Sequence, residues 1–155
     1  LLGGDESVAV RLFANRVLES SVTGATDEKI DRAYQTGIVG GAPSWQANMS
    51  ISYRRGPLQL ALQQRLISGG KFNATLGPED IDNNRVAGAP YTSLRGSWQS
   101  SQLPGLSIHA QVSNLFDQDP PRAPDWSFIG STATNESLFD VLGRRYTVGF
   151  TYDLD

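Results

Sequence analysis

The chain is 155 residues long, 39% hydrophobic and 19% charged, with 16 Gly and 8 Pro; this is one domain's length with enough apolar content for a core, and it excludes a disordered tail. Its 13 basic and 16 acidic residues leave a net charge of −3, which argues against a nucleic-acid partner. The absence of Cys excludes disulfide frameworks, thiolate metal sites and thiol nucleophiles. No apolar run approaches the roughly eighteen residues of a transmembrane helix, although the strands of a membrane barrel need only be half apolar.

Six stretches carry period-two alternation, the pattern of a strand with one greasy and one wet face. The first, about 8–19, is weak and rests on Val8, Val10, Leu12 and Ala14. The second, 44–54, is the clearest: Trp45, Ala47, Met49, Ile51 and Tyr53 alternate with Gln46, Asn48, Ser50, Ser52 and Arg54. The third, 58–68, repeats the pattern through Leu58, Leu60 and Leu62, with a slip at Gln64. The fourth, 91–100, is again weak (Thr92, Leu94, Gly96, Trp98). The fifth, 106–116, sets Leu106, Ile108, Ala110 and Val112 against Ser107, His109, Gln111 and Ser113. The sixth, 145–154, sets Tyr146, Val148, Phe150, Tyr152 and Leu154 against Thr147, Gly149, Thr151 and Asp153.

The connections alternate too. Arg55-Gly56-Pro57 and Ser101-Gln102-Leu103-Pro104-Gly105 read as hairpin turns, whereas 20–43, 69–90 and 117–144 are each too long for an ordinary connection in a compact domain. Short turns on one rim and long loops on the other are the habit of outer-membrane barrels. An antiparallel meander in sequence order is therefore expected. Its lipid face would carry Met49, Ile51, Leu60, Leu62, Ile108, Val112, Val148 and Phe150, and its lumen face Asn48, Gln63, His109, Gln111 and Thr151. Trp45 and Tyr146 fall at the loop rim and Tyr53, Trp98 and Tyr152 at the turn rim, as two aromatic girdles would require; Tyr91 is on the other phase. A sheet in lipid must close, and six strands are fewer than the smallest single-chain barrels use. The six thus belong to a larger barrel or to one built by several chains. The only Met is Met49 and the chain opens Leu1-Leu2-Gly3-Gly4, so it is expected to be a piece of a longer product.

Two linked segments near the end sharpen this expectation. Asn114-Leu115-Phe116-Asp117-Gln118-Asp119-Pro120-Pro121, then Gly143-Arg144-Arg145-Tyr146-Thr147-Val148-Gly149, together resemble the end of TonB-dependent outer-membrane receptors. In that family the first segment closes the penultimate strand and the second opens the last. Ile30-Asp31-Arg32-Ala33 and Gly41-Ala42-Pro43-Ser44-Trp45 are similar to the family's passage from loop to strand. The residues carrying the C-terminal resemblance are Asn114, Phe116, Asp117, Pro120, Pro121, Gly143, Arg144, Tyr146 and Gly149. The resemblance implies an all-β fold: the last six strands of a 22-stranded barrel whose lumen holds a plug, with residues 1–155 carrying neither the plug, the earlier strands nor the energy-coupling TonB box. It also implies a bacterial outer membrane, with lipid, the receptor's own plug and, through the plug, the TonB complex as partners. The function implied is energised uptake of a scarce solute such as a ferric siderophore, cobalamin or glycan. Where family chains end on an aromatic, this one has Leu154.

Residues that invite chemistry have plainer readings. His109 is the only histidine, and Ser107 and Gln111 share its face; residues two apart on a strand lie about 7 Å apart, too far for a nucleophile and its base. One histidine without Cys is no metal set. Glu79-Asp80-Ile81-Asp82-Asn83-Asn84 lacks the Gly and bidentate Glu of a calcium loop and reads as a solvated tip. Asn135-Glu136-Ser137 is a chance sequon, and Asp27–Arg32 a single helical turn capped by Thr26 or plain loop. Arg11, Arg54, Arg65 and Arg95 lie on polar phases and would face an anionic solute or plug carboxylates; Arg54, Arg65, His109 and Gln111 are the candidate lumen contacts. Pro120, Pro121 and Pro124 stiffen the last long loop, where Trp126 and Phe128 would pack or grip a ligand. No enzyme and no cofactor is expected. The alternative reading is a soluble β-sandwich ligand-binding module, with the greasy face packed between two sheets.

Overall fold

The computed structural model describes residues 4–24, 28–38, 40–127 and 130–153. In chain order the strands are β1 (Glu6–Arg16), β2 (Ser21–Thr23), β3 (Lys29–Asp31), β4 (Trp45–Arg55), β5 (Leu58–Ile67), β6 (Gly70–Lys71), β7 (Arg85–Val86), β8 (Ala89–Gln99), β9 (Leu106–Ser113), β10 (Asp125–Ser127), β11 (Gly130–Thr132) and β12 (Arg145–Tyr152). No helix occurs among the described residues, so none is long and apolar enough to cross a membrane.

Six strands form one antiparallel sheet in the order β1-β4-β5-β8-β9-β12, which is the expected meander; the sheet is open, with β1 and β12 as its edges. β4 and β5 are joined through Gly56-Pro57, with Gly56 at φ 52. A positive φ at the first central position followed by proline is the type II′ pattern, whose twist matches that of the flanking strands. At the 100–105 turn the Ser100 hydroxyl oxygen accepts from the backbone N–H of Gln102 and Leu103 (3.3 and 3.0 Å). Both turns lie on one rim. The long connections leave the other, and each carries a short ladder of its own: β2–β3, β6–β7 and β10–β11.

The register sorts the side chains as the alternation predicts. One row runs Val8–Tyr53–Leu60–Gly96–Ala110–Val148 and the next Val10–Ile51–Leu62–Leu94–Val112–Tyr146. On the opposite face one row runs Ala9–Ser52–Ala61–Arg95–Gln111–Thr147. Gln64 is not a slip: it keeps the apolar phase opposite Thr92, whose hydroxyl donates to Gln64 Oε1 at 2.6 Å. A two-residue polar pair that satisfies itself costs the face little. The row through Val10, mid-strand in β1, reaches Tyr146, only the second residue of β12. Strands staggered in this way are tilted to the sheet's rim, as closure into a barrel demands.

The packed core is small and lies on the polar face at the loop rim. Ile67, Val86, Ala89, Tyr91, Ala123 and Phe139 are buried together, with Phe72 and Leu138 against them. Nothing among the described residues covers the apolar face: Val8, Val10 and Leu12 are 54–67% exposed, and Val148 and Phe150 are 77% and 74% exposed. A soluble domain does not leave such a surface open without a partner.

Above the core the long connections are tied together. Lys71 N–H donates to Tyr34 O (2.6 Å) and Thr36 N–H to Lys71 O (2.8 Å). Asn135 Nδ2 donates to Thr36 O and Ile38 O (3.2 and 3.1 Å), and Ala74 N–H to Gln35 Oε1 (2.8 Å). Asn84, one residue of the supposed solvated tip, instead holds its loop, accepting from Asn73 N–H and donating to Asn73 O and Leu76 O. The helical turn at 27–32 is corrected where it is described. Lys29–Asp31 is extended and paired with Ser21–Thr23; Glu19 binds Lys29, and the Asp31 carboxylate accepts from Ser20 and Ala33 N–H. Thr26 and Asp27 lie outside the described residues, as do Phe128 and Leu154, and the Trp126 side chain is not described.

Candidate functional site

Alternation places the polar side chains of six strands on one face, and cross-strand pairing decides which of them meet. Arg54 lies between Ser7 and Gln59, Arg65 between Asn48 and Tyr91, His109 between Ser97 and Gly149, and Gln111 between Arg95 and Thr147. All four predicted contacts are thus on the polar face. They do not form one site. Arg65 lines a groove of about 410 Å³ at the loop end. Arg54 and Arg95 line a second depression, of about 480 Å³, toward the turns, and Gln111 shares a third with Arg95. Gly149 leaves room for its neighbour: a Cβ there would overlap the His109 imidazole.

The ion pairs among the described residues are Glu19–Lys29, Glu6–Arg55, Asp117–Arg144 and Asp140–Arg145. Arg11, Arg54, Arg65 and Arg95 therefore have no carboxylate partner among them. In the loop-end groove the exception is a fork: Arg145 Nη1 and Nη2 donate to Asp140 Oδ1 and Oδ2 at 2.9 and 3.1 Å. Arg145 holds the Asp140 carboxyl below its ordinary range, burial opposes this, and the Leu142 N–H and Arg65 add to the lowering. A carboxyl depressed in the folded state contributes stability above its unfolded pKa and loses it as pH falls through the lower folded value. Acid weakening of the fold below about pH 4 should accordingly be shallower in Asp140→Asn, read from unfolding midpoints at pH 3 and pH 6. Identical pH slopes in the two proteins would contradict the assignment.

Asp140 and Arg145 were missing from the sequence reading as groove residues. Arg145 has the polar phase of its strand, the same signal that picked out Arg65; Asp140 sits in a loop, where no periodicity points inward.

The C-terminal segments meet at the rim between β9 and β12. Asn114 is 2% exposed at φ 50, and its amide clasps Gln118, accepting from N–H (2.8 Å) and donating to C=O (3.0 Å). Asp117, at φ 54, accepts from Arg144 N–H at 2.8 Å and pairs with its guanidinium at 3.5 Å, beside Gly143 at φ 68. Leu115 and Phe116, expected within the fifth strand, belong to this turn, because Asn114 has already left the extended region. Phe116 is 74% exposed, and further on Pro121 O accepts from the Thr134 hydroxyl at 2.7 Å. Asp117→Ala should cost about 1–2 kcal/mol, combining a lost acceptor for a backbone N–H with a left-handed backbone that Ala tolerates poorly. Asp117→Asn keeps both features and should cost clearly less; equal losses in urea titrations would show that only the charge matters. The earlier pair of segments also meets, through the Ala33–Ala42 bridge and Ala42 N–H to Arg32 O (3.4 Å).

The fold and its faces define an open antiparallel β-meander with one apolar and one cationic polar face. No protein-family model matches the chain, and neither a curated protein nor a solved structure is significantly similar to it. Among the described residues no cluster of His, Asp and Glu could hold a metal ion.

Proposed function

We propose that this chain is the C-terminal part of the barrel of a TonB-dependent outer-membrane receptor, and that its product takes up a scarce solute across the bacterial outer membrane. The observation that carries the reading is the exposed apolar face of an ordered meander, with Val8, Val10, Leu12, Tyr146, Val148 and Phe150 all more than half exposed. Lipid is the occupant that suits a face of this size and alternation, and the polar face then lines the lumen. Further support comes from the row stagger, from turns and loops on opposite rims, and from the Asn114–Asp117–Arg144 clasp, in which the two resembling segments hold each other. In this reading β12 and β1 pair with strands outside these 155 residues, the plug occupies the lumen, and TonB acts through the plug. The sandwich alternative needs a second sheet over the apolar face, and the described residues put none there.

The test has two arms. Refolded with phosphatidylcholine vesicles, the chain should float with them on a density gradient and stay bound through an alkaline carbonate wash; recovery as a folded, stable monomer in the aqueous fraction would overturn the membrane assignment. The coding sequence upstream of Leu1 should encode further alternating strands preceded by a plug, and its absence would overturn the receptor assignment alone.

A further inference from the structure

The loop-end groove has a composition that points to a class of ligand. One hydrogen-bond row crossing β1, β4, β5 and β8 places Phe13, Asn48, Arg65 and Tyr91 side by side, and all four line the groove. Phe13 is anomalous there: a large ring on the polar face, 69% exposed. Arg65 makes no ion pair among the described residues, and although its charge reaches Asp140, that carboxylate is already forked by Arg145, so Arg65 and Arg145 against the one carboxylate leave the groove an excess positive charge. Tyr91 is 7% exposed, with its hydroxyl buried against the Asp140 backbone, so it forms a wall of the groove. Asn48 and Gln63 line the groove too, and their side chains make no hydrogen bond among the described residues.

Each group has a natural counterpart. A guanidinium fork receives a carboxylate through two parallel hydrogen bonds. Amides, which both donate and accept, suit hydroxyl groups with the same double capacity. An exposed ring flanking such polar groups suits the C–H face of a saturated ring. A groove of about 410 Å³ is the size of a small-molecule site. We infer that this groove binds a small polyhydroxylated carboxylate of the acidic-sugar class, with Arg65 on the carboxylate, Asn48 and Gln63 on hydroxyls, and Phe13 against the ring face. The inference deepens the receptor proposal by naming its solute class, and rests on that proposal only for how the solute arrives.

The test is calorimetric titration of D-glucuronate into the chain refolded in lauryldimethylamine-oxide micelles, with D-glucose and acetate as comparison probes. Glucuronate should bind at least tenfold tighter than either. Arg65→Gln should weaken it at least tenfold and Asn48→Ala and Phe13→Ala several-fold, while Arg85→Gln, on β7 and outside the groove, stays within twofold. Each variant is checked for the wild-type β-sheet circular-dichroism signal. Acetate binding as tightly as glucuronate would overturn the sugar assignment, and a folded Arg65→Gln binding like wild type would overturn the site. A chain that inserts into vesicles but ignores glucuronate refutes the inference alone. One that binds glucuronate yet stays out of vesicles refutes the membrane reading alone.

Discussion

Val148→Arg should destabilise the inserted chain by about 2–4 kcal/mol, while Gln111→Arg costs roughly 1 kcal/mol or less. The two sites lie on neighbouring strands, and their phases alone separate them. Val148 is 77% exposed on the apolar face, in the row of Ala110, Gly96 and Leu60; in the proposed barrel a guanidinium there sits in hydrocarbon. Gln111 lies on the polar face opposite Arg95 and Thr147, so an added guanidinium meets water and a like charge of modest, screened effect. Urea titration of both variants in lipid vesicles reads the difference. Equal tolerance at the two positions would refute the lipid-facing assignment.

The second large effect is on solubility. Without detergent the isolated chain should sediment as aggregates or edge-paired oligomers. β1 and β12 each present one side of unpaired N–H and C=O groups, and an exposed, apolar edge strand is a template for further pairing. Beside those edges run the uncovered side chains of Leu12 (67% exposed) and Phe150 (74% exposed), which give associating copies apolar area to bury. Sedimentation velocity in plain buffer decides the matter: a folded, stable monomer would refute the expectation and favour the sandwich module.

What was legible in the sequence was whatever alternation encodes. Trp45–Arg55 was read to within a residue because every side chain there keeps its phase, and a one-residue error would turn the whole greasy face outward. Gln64 misled because the alternation counts polarity, not pairing; its partner Thr92 is 28 residues away in sequence. The ladders inside the long connections were invisible for a related reason. Two or three residues such as Gly70–Lys71 and Arg85–Val86 are too short to show a period and are held by neighbours from other loops. The Arg65 half of the groove followed from strand phase, but the Asp140 half did not, since its place is set by the chain's path between the Asn114–Asp117 turn and β12.

The buried contacts of this molecule are concentrated above the sheet, where Asn135 reaches Thr36 and Ile38 and Gln35 reaches Ala74. Connections of this length usually vary independently, each free to lengthen or shorten at little cost. Here they behave as one mechanical part. Exchanging 20–43 strips hydrogen-bond partners from both of the others, and exchanging 69–90 or 117–144 strips them from 20–43 and opens the core that Val86 and Phe139 share over Tyr91, so specificity carried by such a rim has to change as a matched set.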